Sequence, residues 1–107
     1  EDPERVAQAF SVAATALASG IDVSFWFTGE AAWFALPGRA EEFSLPHAPN
    51  IKELLTTLIS DGTVTLCTQC AVRRNINEGD QIVGIRIAGT ATFVEEITRE
   101  ATQALVY

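Results

Sequence analysis

Residues Thr63 to Ile76 read TVTLCTQCAVRRNI. Thr63, Val64, Thr65 and Leu66 make a short, largely β-branched run, the composition of a buried strand. Cys67 follows at once, Cys70 comes three residues later, and the segment carrying the adjacent Arg73 and Arg74 suits a helix. The chain has no other cysteine. A thiol at a strand-to-helix junction lies beside unpaired backbone N–H groups and the positive end of the helix dipole, which both favour thiolate over thiol. The stretch predicts an α/β turn with a reactive sulfur on it.

Working outward, Gly62 closes a helix whose stripe is Ile51, Leu54, Leu55, Leu58 and Ile59, opened by Asn50 and Glu53 at capping-box spacing. Before it, Leu36 to Asn50 holds three of the four prolines and predicts a long irregular connection, a type that is usually functional or interfacial. Ile21 to Thr28, IDVSFWFT, predicts a central parallel strand buried on both faces, with Thr28 capping a short helix through Phe34. Asp2 and Pro3 start a first helix, with Val6, Phe10, Ala13 and Leu17 on its inner face and its end near Gly20. Downstream, Asn75 to Gln81 reads as loop and Ile82 to Ile87 as a short strand. Gly89 and Thr90 open a last helix with Phe93, Val94, Ile97 and Ala101 inward, and Gln103 to Tyr107 is expected to be a terminal strand. This alternation predicts one α/β domain over residues 1–107: a doubly wound, mainly parallel sheet flanked by helices. A doubly wound domain usually begins with a strand, whereas here a helix comes first.

The 107 residues suffice for one core, and an apolar share near one half excludes disorder. Fourteen acids against seven bases leave a net charge of −7, which repels phosphate backbones and anionic lipid; neither nucleic acid nor membrane is expected as a partner. Every apolar stretch is broken well short of the roughly 20 residues of a membrane span. Glu1, Asp2, Pro3 and Glu4 are no signal peptide, and two close cysteines suit a reducing, cytoplasmic setting better than a secreted disulfide framework.

Three runs together, ASGIDVSFWFTGEAAW, IKELLTTLISDGTVTLCTQCAVRRNI and IVGIRIAGTATFVEEI with a closing LVY, resemble the DsrE/DsrF-like group of sulfur-relay proteins, which includes the YchN-like proteins. The resemblance implies a doubly wound α/β fold with a strand ahead of the first helix, so that this chain is expected to lack that first strand. In relatives that relay sulfur, the cysteine after the third strand accepts a sulfane sulfur as a persulfide and passes it to a partner. By position that cysteine is Cys67, and Arg73 and Arg74 match basic residues of the following helix. The resemblance further implies a homo-oligomer, trimer or hexamer, protein donors and acceptors of sulfur, and no organic cofactor.

Each candidate residue also has a plainer reading. Cys67 suits a buried apolar site as well as the ligand-binding rim at the carboxyl ends of parallel strands. Cys70 is either a resolving thiol close enough to bridge Cys67 or a small core residue. Arg73 and Arg74 either steer anionic sulfur donors or pair with acids at a subunit contact. Glu30 shares the rim with Cys67 and is either a proton carrier or a dipole partner of a first helical turn. Trp33 and Phe34, with Phe43, form a pocket wall or oligomer contact, or else belong to the core. A single C-x-x-C with one histidine, His47, is weak support for zinc, so no metal is expected. Two alternatives to the sulfur carrier stay open: a non-catalytic oligomeric module that binds a small ligand or protein, and a thiol–disulfide protein using Cys67 and Cys70.

Overall fold

A computed structural model describes residues 2–107. Helix α1 spans Pro3–Ala18 and opens as its sequence requires: the Asp2 carboxylate accepts from the N–H groups of Glu4 and Arg5, and Pro3 fills the first turn. Phe10 and Ala13 are buried, with Val6 and Leu17 packed beside them. Helix α2, Ile51–Asp61, is capped by Asn50 Oδ1 on the Glu53 N–H at 3.2 Å and stops at Gly62. The expected stripe is on its inner face, with Ile51, Leu55 and Leu58 sealed from solvent.

Three strands form one parallel sheet in the order β1 (Ser24–Phe27), β2 (Thr63–Cys67), β3 (Arg86–Ala88). Phe25, Phe27, Val64 and Leu66 lie on one face, on which α1 and α2 rest; Phe10 stands 4.8 Å from the Phe25 ring and 6.0 Å from the Phe27 ring. Trp26, Thr65 and Arg86 share the other face, covered by helix α4, Thr90–Ile97, whose Phe93 meets Trp26 edge-on at 5.2 Å. Helices on both faces of a parallel sheet make this a doubly wound α/β domain. Phe10, Phe27, Leu55, Leu58, Val64 and Leu66 are almost wholly buried, each burial stabilising the fold by about 1.5–3 kcal/mol.

Several expectations are corrected. β1 is shorter than Ile21–Thr28 and lies at an edge, because Ile21 is 58% exposed and the central place belongs to β2. The segment after it is a 3-10 helix, Gly29–Ala35, for which Thr28 supplies no side-chain cap. The long connection contains a further 3-10 turn at Ala40–Glu42. β3 keeps only the end of the expected Ile82–Ile87 strand, since Ile85 N–H bonds back to the Ile82 carbonyl in a turn with Gly84 at φ +100°. Val94 and Ile97 on α4 are exposed rather than inward, and Ala101 lies beyond the helix at φ +63°. Gln103–Tyr107 forms no strand: Leu105 and Val106 are 68% and 90% exposed, and no sheet edge accepts them. No strand precedes α1 among the described residues.

Candidate functional site

Helix α3, Thr68–Arg73, begins directly after β2, with Cys67 at its N-cap position and Cys70 one turn further on. Cys67 is the last residue of the central strand and pairs in register with Ala88, the last of β3. Gly89, which precedes α4, lies against Thr68; a Cβ added there would stand 3.8 Å from Thr68 Oγ1. The Cys67 sulfur therefore sits at the carboxyl rim of the sheet, where the starts of α3 and α4 converge, the place where open α/β sheets hold ligands.

Cys67 is half-buried and Cys70 buried, both as free thiols. Burial is the largest single influence on the Cys67 thiol and opposes its ionisation. The Cys70 N–H and thiol, the Gln69 N–H and the Arg73 charge together outweigh it and bring the thiol below the ordinary cysteine range. These groups act without closing a full cap hydrogen bond to the neutral thiol. The effect is local: with six residues α3 is short, and nearby N–H groups rather than a long helix dipole carry the preference for thiolate.

Cys70 is fixed from a distant segment. Gly29 N–H donates to Cys70 Sγ at 3.1 Å, and Gly29 makes its turn at φ +58°, a conformation that suits glycine. The next residue, Glu30, takes two hydrogen bonds on Oε2 from Arg74, from Nε at 3.0 Å and from Nη2 at 2.8 Å, while Arg74 Nη1 donates to the Cys70 carbonyl at 3.1 Å. The hydrogen bonds from Arg74 hold the Glu30 carboxyl below its usual range. The two arginines thus separate in role: Arg74 clamps the 3-10 segment to α3 within one chain, and Arg73 stays exposed beside Cys67.

Trp33 and Phe34 are half-buried and line, with Glu30, Arg39, Glu42 and Phe43, a hollow of about 290 Å³ beside this clamp. Arg39 covers the Trp33 ring at 5.0 Å, and Phe34 also reaches the core through Phe10 and Phe27. A larger hollow of about 500 Å³ between α2 and the 79–83 loop contains none of the cysteines or arginines of the rim. His47 is exposed in its loop, and no group of three His, Cys, Asp or Glu side chains able to hold a metal occurs among the described residues.

Sequence reasoning missed Gly29 as the partner of Cys70, because nothing local connects residues 41 positions apart. It also missed a polar cluster under α4. Glu96 accepts from Ser24 Oγ at 2.6 Å and from Trp26 Nε1 at 3.0 Å and pairs with Arg86, whose Nε reaches the fully buried Thr65 hydroxyl at 2.5 Å. Its sequence signal was the set of polar residues, Ser24, Thr65 and Arg86, on one sheet face. Among the described residues no helix is long and apolar enough to cross a membrane.

Comparison with curated proteins finds no match to this chain. The family model of the DsrE/DsrF-like family matches residues 1–105, and with its cysteine-bearing strand-to-helix rim and parallel α/β sheet the chain belongs to that family.

Proposed function

We propose that the protein is a sulfur carrier, with Cys67 accepting a sulfane sulfur as a persulfide and handing it to a partner protein. One observation carries this reading: Cys67 is a half-buried thiol at the carboxyl rim of the central strand, with local N–H groups and Arg73 favouring its thiolate. The thiolate attacks the outer sulfur of a donor persulfide. A new S–S bond forms on Cys67, the donor's S–S bond breaks, and the donor leaves as thiolate. A second thiolate attacking the outer sulfur of the Cys67 persulfide reverses these roles and carries the sulfur away.

Family membership supports a role related to sulfur relay. Protein donors and acceptors, a homo-oligomer and a reducing, cytoplasmic setting belong to the same proposal. Arg73, exposed next to the sulfur, is the residue we assign to attracting anionic donors. The fused 3-10 segment with Glu30, Trp33 and Phe34 forms the wall beside which a partner would dock.

The test is incubation with inorganic polysulfide, rapid alkylation and fragment mass mapping. A gain of about 32 Da, one sulfur atom, is expected on Cys67 and is absent from Cys67→Ser. Sulfur bound equally well by Cys67→Ser, or taken up by neither wild type nor Cys70→Ser, would overturn the proposal.

A further inference from the structure

Resting on Cys67 as the persulfide site, we propose that Cys70 gives this site a second outlet: it attacks the inner sulfur of the Cys67 persulfide, releases hydrosulfide and closes a Cys67–Cys70 disulfide. The two thiols occupy the N-cap and third positions of one helical turn. Cys67 enters the turn in extended backbone, and the N–H and thiol of Cys70 both lie within hydrogen-bonding reach of its sulfur, a contact from which small side-chain adjustments bring the two Cβ atoms to the about 4 Å that a disulfide requires. Cys70 is also held in a defined place. The Gly29 N–H pins its sulfur at 3.1 Å beneath the rim, and Arg74, anchored on Glu30, fixes the Cys70 carbonyl.

Burial decides which sulfur each attacker reaches. Cys70 is only 7% exposed and approaches from the protein side, where the Cys67 Sγ is the near atom of the persulfide. A partner thiol arrives from solvent and meets the outer sulfur first. Outer attack passes the sulfane atom on; inner attack reduces it. The balance is Cys67–S–S⁻ plus Cys70–SH giving Cys67–S–S–Cys70 plus HS⁻. The S–S bond of the persulfide breaks, a new S–S bond forms between the cysteines, the Cys70 proton leaves on hydrosulfide, and the two thiols supply the two electrons. A dithiol reductant then restores both thiols. With no acceptor docked, a loaded site empties itself rather than holding a reactive persulfide.

The experiment follows polysulfide-loaded protein, freed of excess donor, by intact mass and by sulfide assay. Wild type is expected to lose its added sulfur, release one hydrosulfide per chain, and end two hydrogens lighter than the reduced protein, with dithiothreitol restoring the starting mass. Cys70→Ser and Cys70→Ala, checked for fold by circular dichroism, are expected to keep the sulfur on Cys67 at least tenfold longer. Wild type that loads and discharges no faster than these variants, or releases no hydrosulfide, overturns the second outlet and leaves the carrier reading standing. Failure of wild type and both Cys70 variants to take up sulfur at all overturns the carrier reading and the outlet together.

Discussion

At Cys67 desolvation and hydrogen-bond donors pull in opposite directions, and the donors prevail. Alkylation of this thiol should accordingly have its midpoint below that of an ordinary cysteine, and Arg73→Ala should move it upward by removing a nearby positive charge. Rates of iodoacetamide labelling against pH check both; an unmoved midpoint in Arg73→Ala would show that the charge is too well screened to matter. Cys70, buried against Gly29, should label far more slowly in the folded state. Arg74→Ala removes the clamp and should lower stability by about 1 kcal/mol through loss of the bond to the Cys70 carbonyl, read by urea denaturation. The cysteine site was legible in the sequence because its determinants are adjacent: a β-branched run, a thiol and the first turn of a helix. Arg74 was legible as a candidate, but its intramolecular partner Glu30 was not, because that pairing depends on where β1 ends relative to α3.

Helix α4 shows why periodicity alone misplaced a face. Phe93 faces inward as its spacing predicts, but Val94 and Ile97 do not, and Glu96 makes the remaining contacts, its carboxylate satisfying Ser24, Trp26 and Arg86 over the sheet. Burial raises the Glu96 pKa and is the largest influence, but the hydrogen bonds from Ser24, Trp26 and Arg86 reverse it and leave the group below its usual range. A carboxyl lowered in the folded state contributes stability that is complete above the unfolded glutamate value, about 4.3, and vanishes as pH falls through the folded value. Glu96→Gln should therefore cost about 1–3 kcal/mol at neutral pH and flatten the acid limb of a stability profile. An acid limb identical to wild type would remove Glu96 from the account. The turn before β3 makes a second test. At Gly84 a Cβ would meet Ile59 Cγ2 at 2.6 Å with φ at +100°, so Gly84→Ala should cost about 1–3 kcal/mol by thermal or urea unfolding. Sequence periodicity extended this strand back to Ile82 because it registers apolar residues but not the left-handed glycine that bends the chain.

Across the whole molecule, the helices α1 and α2 and the strand β2 were legible because caps, stripes and stop glycines agree with one another. The tail was not: Leu105, Val106 and Tyr107 have strand composition but pair with neither outer strand of the sheet and stay exposed. Removing residues 103–107 should shift the stability of the isolated chain by less than about 0.5 kcal/mol, whereas Phe10→Ala, at the junction of α1 with β1, should cost about 3–5 kcal/mol. The fold thus concentrates its stability on the α1 and α2 side and leaves one half-buried sulfur at the rim of the central strand. Measuring the rate at which polysulfide loads Cys67 as a function of pH bears most directly on that arrangement. The rate should rise with ionisation of a single group titrating below the ordinary cysteine range. Loading that follows an ordinary thiol titration, or sulfur that settles elsewhere than on Cys67, would contradict it.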